Sequence, residues 1–115
     1  MYHGGIVTEQ ALFILASLTR GELHGYGIAR DVEELSDGDV KLTAGTLYGA
    51  LNRLTEEGLI TQSREQVVGG RRRRYYRLTS AGQTALAEET ARLRSTVAAL
   101  SARSATGVGR SPRPA

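Results

Sequence analysis

The sequence contains no cysteine, so the chain forms neither disulfide bonds nor thiolate metal sites. A chain without disulfides suits a reducing compartment, and we therefore expect a cytoplasmic protein. Its two histidines, His3 and His24, are far apart in the sequence, which argues against a histidine-based metal centre. The apolar run from Ala11 to Leu18 is much shorter than the ~20 residues that span a bilayer, and it follows an acidic residue. We expect no metal, no cofactor, no signal peptide and no membrane association.

Basic residues are scarce in the first 40 positions, where two arginines stand against seven acidic residues. Residues 41–79 carry eight basic groups and three acidic ones. A basic block beside an acidic one is typical of a protein that presents one surface to a polyanion. The densest part of the block, Arg71–Arg74, follows two glycines and precedes two tyrosines. On its own such a run is more typical of a solvated or localising segment than of a binding surface. Its function therefore has to be inferred from the segments on either side of it.

Hydrophobic periodicity and capping residues predict one domain made of four helices and a β-hairpin. The first helix is apolar on most of its circumference, and the hairpin consists of two strand-like runs on either side of Gly69 and Gly70. After Arg103 the chain is rich in Gly, Ser, Pro and Arg, which predicts a disordered tail over residues 104–115. The predicted helices cover residues 8–19 with Thr8 as N-cap, 25–35, 43–57 with Thr43 as N-cap and Gly58 as C-cap, and 80–103.

The spacing of apolar residues also predicts which side chains are buried. In the second strand of the hairpin Tyr76 and Leu78 are predicted to face the core, which leaves Tyr75 more exposed. Tyr26, near the start of the second helix, fits either the core or a small pocket, and the core is favoured. His24 is interpreted as a structural residue at the entry of that helix. The predicted buried stripes are Ile28, Ala29, Val32 and Leu35 in the second helix and Leu47, Ala50, Leu51 and Leu54 in the third.

Three helices followed by a hairpin is the order of elements in a winged helix-turn-helix. The third helix can then lie in the major groove of B-form DNA, while the hairpin, or wing, reaches the adjacent phosphates. Gly45 and Gly49 permit close approach of a partner backbone, and Asn52 and Arg53 suit base edges or a phosphate. Tyr48 fits packing and phosphate contact about equally well. The candidate DNA-binding residues are Thr43, Gly45, Thr46, Tyr48, Gly49, Asn52 and Arg53 on the third helix and Arg71, Arg72, Arg73 and Arg74 on the wing.

Three segments resemble the signature segments of the PadR family of bacterial transcriptional regulators: LHGYGIARDVEEL, LTAGTLYGALNRLTEEGLI and GGRRRRYYRLTSAGQTAL. The resemblance covers roughly residues 8–102. It implies a mainly α fold with a small β-hairpin, in which residues 1–79 form a winged helix-turn-helix and residues 80–103 a single dimerisation helix, as in the short subgroup of the family. It also implies a repressor that a small molecule releases from DNA. The chain departs from the family at Ala44 and Gly49, where proline is common, and its lack of tryptophan does not support the stacking of planar ligands on tryptophan that some members use.

The last predicted helix carries an apolar stripe whose spacing of 7, 4 and 3 residues suits pairing with another helix: Leu86, Leu93, Val97 and Leu100. This stripe fits packing on its own domain as well, but the first helix competes for that core, so a homodimer is favoured. A homodimer predicts an inverted-repeat site in double-stranded DNA. A cavity between the paired helices and the first helices would be a site for a small-molecule effector, lined by residues such as Phe13, Leu93 and Val97.

Two other classes of function stay open. A winged-helix module can serve protein–protein assembly, with its arginines on an acidic partner. Thr46, Asn52 and Arg53 argue against this class, because protein-binding faces favour bulky apolar anchors. An enzyme is the least favoured class, because the sequence has no nucleophile–base pair, metal set or phosphate loop, and His24 has no evident partner. The sequence therefore predicts a DNA-binding, ligand-responsive repressor.

Overall fold

The structure, a computed structural model, describes residues 7–108, with side chains as far as residue 105. The described residues form four helices and a small three-stranded antiparallel sheet, which confirms the predicted fold class. The two-residue strand β1 lies before the second helix and is not predicted from the sequence. The elements in chain order are α1 (Glu9–Ser17), β1 (Leu23–His24), α2 (Gly25–Leu35), α3 (Ala44–Glu56), β2 (Ile60–Val68), β3 (Arg71–Leu78) and α4 (Ser80–Val108).

The first three helices begin at side chains that cap the free amide groups of their first turn. Thr8 accepts a hydrogen bond from the amide of Ala11, and Thr43 accepts one from the amide of Thr46. Both N-caps are confirmed. His24 caps α2 in the same way, because its Nδ1 accepts from the amide of another residue of that helix.

Helix α3 ends where the sequence predicts, at Gly58. This residue has a φ of 78°, in the left-handed region that favours glycine. The amide of Gly58 donates to the carbonyl of Thr55, and the amide of Leu59 donates to the carbonyl of Leu54. These two bonds form a Schellman motif, which satisfies the last carbonyls of the helix and turns the chain into β2.

The core lies between α1, α2, α3 and the inner face of the sheet, and it contains most of the apolar residues that periodicity assigns to it. Two predicted core residues are instead exposed, and both predictions are wrong. Leu35 is 50% exposed because α2 ends there, and the following turn brings Val40 into the core in place of a further helical turn. Tyr26 is 65% exposed because it lies on the polar face of α2, where the guanidinium of Arg30, one turn later, stands 5.8 Å from the centre of its ring.

The sheet has the strand order β1-β3-β2, so β3 is its central strand. Strands β2 and β3 form the predicted hairpin, which we call the wing. Gly69 and Gly70 connect them with φ angles of 57° and 77°, as a type I′ turn requires. The pairing is regular except at Ser63, where an extra residue in β2 shifts the register. Tyr76 is buried and Leu78 is half-buried, which confirms that this face of β3 packs on the core.

Helix α4 begins against the domain and then leaves it. Gly82 and Ala85 are buried at its start, whereas the side chains from Thr90 to Ala105 are exposed. The helix continues beyond the predicted end at Arg103 as far as Val108, and residues 104–106 contain neither glycine nor proline. Residues 109–115 of the predicted tail lie outside the described residues. None of the helices in the described part of the chain has the length and apolar character needed to cross a bilayer.

Candidate nucleic-acid interface

Helix α3 presents its predicted recognition face to solvent. Its buried stripe faces α2 and the sheet, and the other side carries only small, polar or charged residues. A Cβ atom added at Gly45 or Gly49 would have no neighbour within 4 Å, so nothing within the described chain requires glycine at these positions. Seven candidate residues on this helix and its N-cap are exposed: Thr43, Gly45, Thr46, Tyr48, Gly49, Asn52 and Arg53.

The four arginines of the wing belong to strand β3, next to the turn rather than in it. They point alternately to the two faces of the strand. Arg72 and Arg74 lie 3.7 Å and 3.5 Å from the carboxylate of Glu65 on β2. Arg73 is half-buried on the other face, where its Nη1 lies 3.3 Å from Nε2 of His24. Arg71, at the end of the turn, is exposed.

A groove of about 620 Å³ separates the wing from the N-terminus of α2. We call it the arginine groove, and it is lined by His24, Gly25, Tyr26, Tyr48 and Arg71–Arg74. It joins residues from both halves of the predicted interface, since Tyr48 comes from α3 and the arginines come from the wing. The groove also explains the exposure of Tyr26, whose ring forms part of its wall.

His24 forms part of the wall of this groove. Its ring is nearly parallel to that of Tyr26, with 7° between the planes and 6.4 Å between the centres. It is T-shaped to the ring of Tyr75, with 5.3 Å between the centres. Burial lowers the pKa of His24, and the nearby positive charge of Arg73 lowers the pKa further. The imidazole is therefore neutral at neutral pH. The prediction that His24 is a structural residue at the helix entry is confirmed by its N-cap bond.

Gly25 allows α3 to approach the start of α2 closely. A Cβ atom at Gly25 would lie 2.5 Å from the hydroxyl oxygen of Tyr48 and 2.9 Å from its Cζ. Tyr48 therefore packs against this glycine while 46% of its surface stays exposed. Both interpretations of Tyr48 are compatible with this position, because its ring packs and its hydroxyl borders the groove.

A cluster of side chains connects the wing to the loop before β1. The sequence does not predict this cluster. Glu22 accepts hydrogen bonds from Ser63, at 2.6 Å, and from Nε of Arg64, with which it also forms an ion pair. The guanidinium of Arg64 also donates to Gln66, which in turn accepts a bond from the hydroxyl of Tyr75 at 3.0 Å. The hydrogen bonds to Ser63 and Arg64 lower the pKa of Glu22 and so favour its charged form.

The predicted dimerisation stripe is mostly uncovered. Leu86 is half-buried against the core of its own domain. Leu93, Val97 and Leu100 are 41%, 58% and 64% exposed and lie beyond the domain on α4. Phe13 is half-buried against the core, so the effector pocket predicted between this residue, Leu93 and Val97 stays a prediction.

Comparison with known proteins gives a consistent result. Residues 14–88 match the Transcriptional regulator PadR-like family. Transcriptional regulator Rv3488 of Mycobacterium tuberculosis is 42% identical over 78 residues, which are 68% of this chain and 69% of that protein.

Two solved structures support the same assignment. A PadR family transcription regulator from Clostridium difficile has a TM-score of 0.70 and 26% identity, and the match covers 82% of this chain and 96% of that one. Bacillus subtilis PadR, solved in complex with operator DNA, has a TM-score of 0.62 and 26% identity, and the match covers 90% of this chain but 49% of that one.

Proposed function

Because this chain belongs to the PadR-like family of transcriptional regulators, we propose that it is a repressor that binds double-stranded DNA as a homodimer and releases it in response to a small molecule. The observation that carries DNA binding is the arginine groove, where Tyr48 of α3 borders four arginines of the wing. Helix α3 would read the major groove with Asn52 and Arg53, and the wing would contact the phosphate backbone. The operator DNA in the structure of B. subtilis PadR supports this proposal.

Replacement of Arg72, Arg73 and Arg74 by alanine tests the role of the wing. Binding to all DNA sequences should weaken, and the slope of log affinity against log salt should decrease by ~0.9 for each lost phosphate contact. A matched control replaces Arg20, Arg94 and Arg103, which removes the same charge away from the groove. The measurement is a gel shift with the DNA upstream of the protein's own gene, repeated at several salt concentrations. Equal losses in both variants would contradict a specific role for the wing.

The same experiment separates this function from protein–protein assembly. A DNA-binding protein of this kind should show salt-dependent affinity for any duplex and higher affinity for its operator. A protein that shows no salt-sensitive affinity for DNA would instead use its arginines on an acidic protein partner, and the proposal would fail.

The exposed part of the α4 stripe supports the homodimer. Leu93, Val97 and Leu100 recur at the spacing of a helix–helix seam, and single helices rarely leave such a stripe in water. Val97→Asp should convert the dimer to a monomer in sedimentation experiments. Ser95→Asp is the matched control, because Ser95 is exposed on the other side of the same helix. A wild-type protein that sediments as a monomer at all concentrations would disprove the dimer.

A pocket at this dimer interface would be the site of ligand response. An effector that binds near Phe13, Leu93 and Val97 would change the distance between the two copies of α3 and so weaken DNA binding. Isothermal titration with candidate effectors should give heat only for compounds that also lower operator affinity. In a reporter strain, the protein should decrease transcription from its operator, and the same compounds should restore it.

A further inference from the structure

The imidazole of His24 lies next to two groups that can act only as hydrogen-bond donors. The amide of Gly27 donates to Nδ1 at 3.2 Å, and this bond caps α2. Nη1 of Arg73 lies 3.3 Å from Nε2. A neutral imidazole has one nitrogen that accepts and one that carries a proton, so it accepts from only one of these two groups.

The helix cap determines which nitrogen accepts. The amide of Gly27 lies in the first turn of α2, where no helical carbonyl is available to it, so its bond to Nδ1 has no replacement within the helix. The guanidinium of Arg73 carries several N–H groups and is only half-buried, so it is solvated without help from His24. Nδ1 therefore accepts, and Nε2 carries the proton. As a result, two N–H donors face each other in the arginine groove.

Two donors at this distance are compatible when they share one acceptor. A phosphate group fits because each of its oxygens accepts more than one hydrogen bond and its negative charge matches the arginine. We propose that Nε2–H of His24 and the guanidinium of Arg73 together bind one backbone phosphate of double-stranded DNA. This inference rests on the proposed function, and it assigns His24 two roles, as the cap of α2 and as a phosphate ligand.

The geometry of β3 distinguishes Arg73 from its neighbours in this role. Arg72 and Arg74 also line the groove but lie beside Glu65 on β2, whereas Arg73 is the arginine whose Nη1 lies 3.3 Å from Nε2 of His24. The site therefore links α2 to the wing through one phosphate. Arg72 contributes charge to the wing but does not share this phosphate with His24.

The protonation state of His24 is measured directly by nitrogen-detected NMR of the ¹⁵N-labelled protein. In the free protein Nδ1 should show the shift of an unprotonated nitrogen and Nε2 that of a protonated one. A short DNA duplex should shift the Nε2–H signal and leave Nδ1 unprotonated. The His24→Asn variant identifies the signals, because His3 remains in both proteins.

Each outcome of the titration has a separate meaning. If the duplex binds by fluorescence anisotropy and the Nε2–H signal does not move, the inference is wrong and the proposed function stands. If no duplex binds, the proposed function fails and the inference fails with it. If inorganic phosphate shifts the signal and a bound duplex does not, the groove is a site for free anions and not for a DNA phosphate.

A double-mutant cycle provides the second test. His24→Asn keeps a good N-cap and removes the Nε2 donor. We expect this variant and Arg73→Gln each to weaken duplex binding by ~10-fold, since a hydrogen bond to a charged group is lost in each case. The double variant should weaken binding by clearly less than the product of the two factors. Arg72→Gln is the matched control, and its effect should multiply with that of His24→Asn. Multiplicative effects for both arginines would overturn the shared phosphate.

Discussion

The guanidinium of Arg64 lies 3.9 Å from the centre of the Tyr75 ring, where the two residues stand opposite each other on β2 and β3. The same guanidinium forms an ion pair with Glu22, in the loop before β1. Arg64 directly follows the irregular pairing at Ser63, the point at which a two-stranded hairpin would bend most easily. The cation–π contact and the ion pair therefore hold the wing in a defined direction relative to α2 and α3.

Replacement of Glu22 tests whether this residue affects DNA binding by positioning the wing or only through its negative charge. Glu22→Ala removes a negative charge, which by itself would strengthen the attraction of the protein for DNA. We expect weaker DNA binding instead, because the wing loses its tie through Ser63 and Arg64. Amide hydrogen exchange should become faster in β2 and β3.

The control for this prediction is Glu33→Ala, which removes the same charge from the exposed face of α2. Its affinity for DNA should stay unchanged or increase, and exchange in the wing should stay slow. An increase in affinity for both variants would show that Glu22 acts only through its charge.

We expect Gly49 to lower the stability of the fold and to strengthen DNA binding. It lies in the interior of α3, and a Cβ atom there would meet nothing within 4 Å. Gly49→Ala should therefore raise the free energy of unfolding by about 1 kcal/mol, the difference in helix propensity between the two residues. If the glycine allows close approach of DNA, the same variant should bind DNA more weakly. Urea unfolding and gel shifts on one preparation measure both effects, and unchanged DNA affinity would contradict the role in close approach.

Gly82 should behave in the opposite way. A Cβ atom there would overlap the carbonyl oxygen of Leu59 and lie 2.7 Å from Cδ1 of Leu78. Backbone cannot move aside as a flexible side chain can, so Gly82→Ala should lower the free energy of unfolding by about 1–3 kcal/mol despite its better helix propensity. Urea unfolding measures this change, and a stabilised variant would contradict the close packing of α4 on the domain.

The parts of the fold that the sequence predicts are those that depend on residues close together in the sequence. Thr8 and Thr43 cap amide groups three residues away, Gly58 ends α3, and Gly69 and Gly70 form a two-residue turn. Periodicity likewise predicts most of the core, because it reflects the face of a single helix. It is wrong at Leu35, where the helix ends and the face no longer continues.

The parts that the sequence does not predict depend on distant pairs. Glu22 and Arg64 are 42 positions apart, and nothing in either segment indicates that they meet. Strand β1 has only two residues and exists because β3 offers a free edge to Leu23 and His24. The position of Tyr26 follows from the arginine groove, which forms only after α2 and β3 have packed together. The exposure of the candidate DNA-binding residues can be predicted from the sequence, because it follows from the periodicity of one helix, α3, and of one hairpin.

The pKa of His24 predicts how the stability of the protein depends on pH. In the folded protein burial and the charge of Arg73 hold this pKa below its ordinary value of 6.5, whereas the unfolded chain has the ordinary value. Below about pH 6.5 the unfolded state therefore binds more protons, and the free energy of unfolding should decrease as the pH falls towards 5. Protonation of Nδ1 also breaks the bond to the amide of Gly27, so the cap of α2 is lost at the same time.

His24→Asn should remove this pH dependence while it retains an N-cap. Urea unfolding at several pH values between 7.5 and 5 compares the two proteins over a range that includes the ordinary histidine pKa of about 6.5. His3 is present in both proteins, so its contribution cancels when their free energies of unfolding are subtracted. The pKa of Glu22 is lowered from 4.5, so this carboxyl stays charged over the same range. The wild-type protein should lose more stability than the variant as the pH falls, because only in the wild type does protonation place a positive charge beside Arg73 and break the helix cap. Parallel curves for the two proteins would show that folding does not lower the pKa of His24.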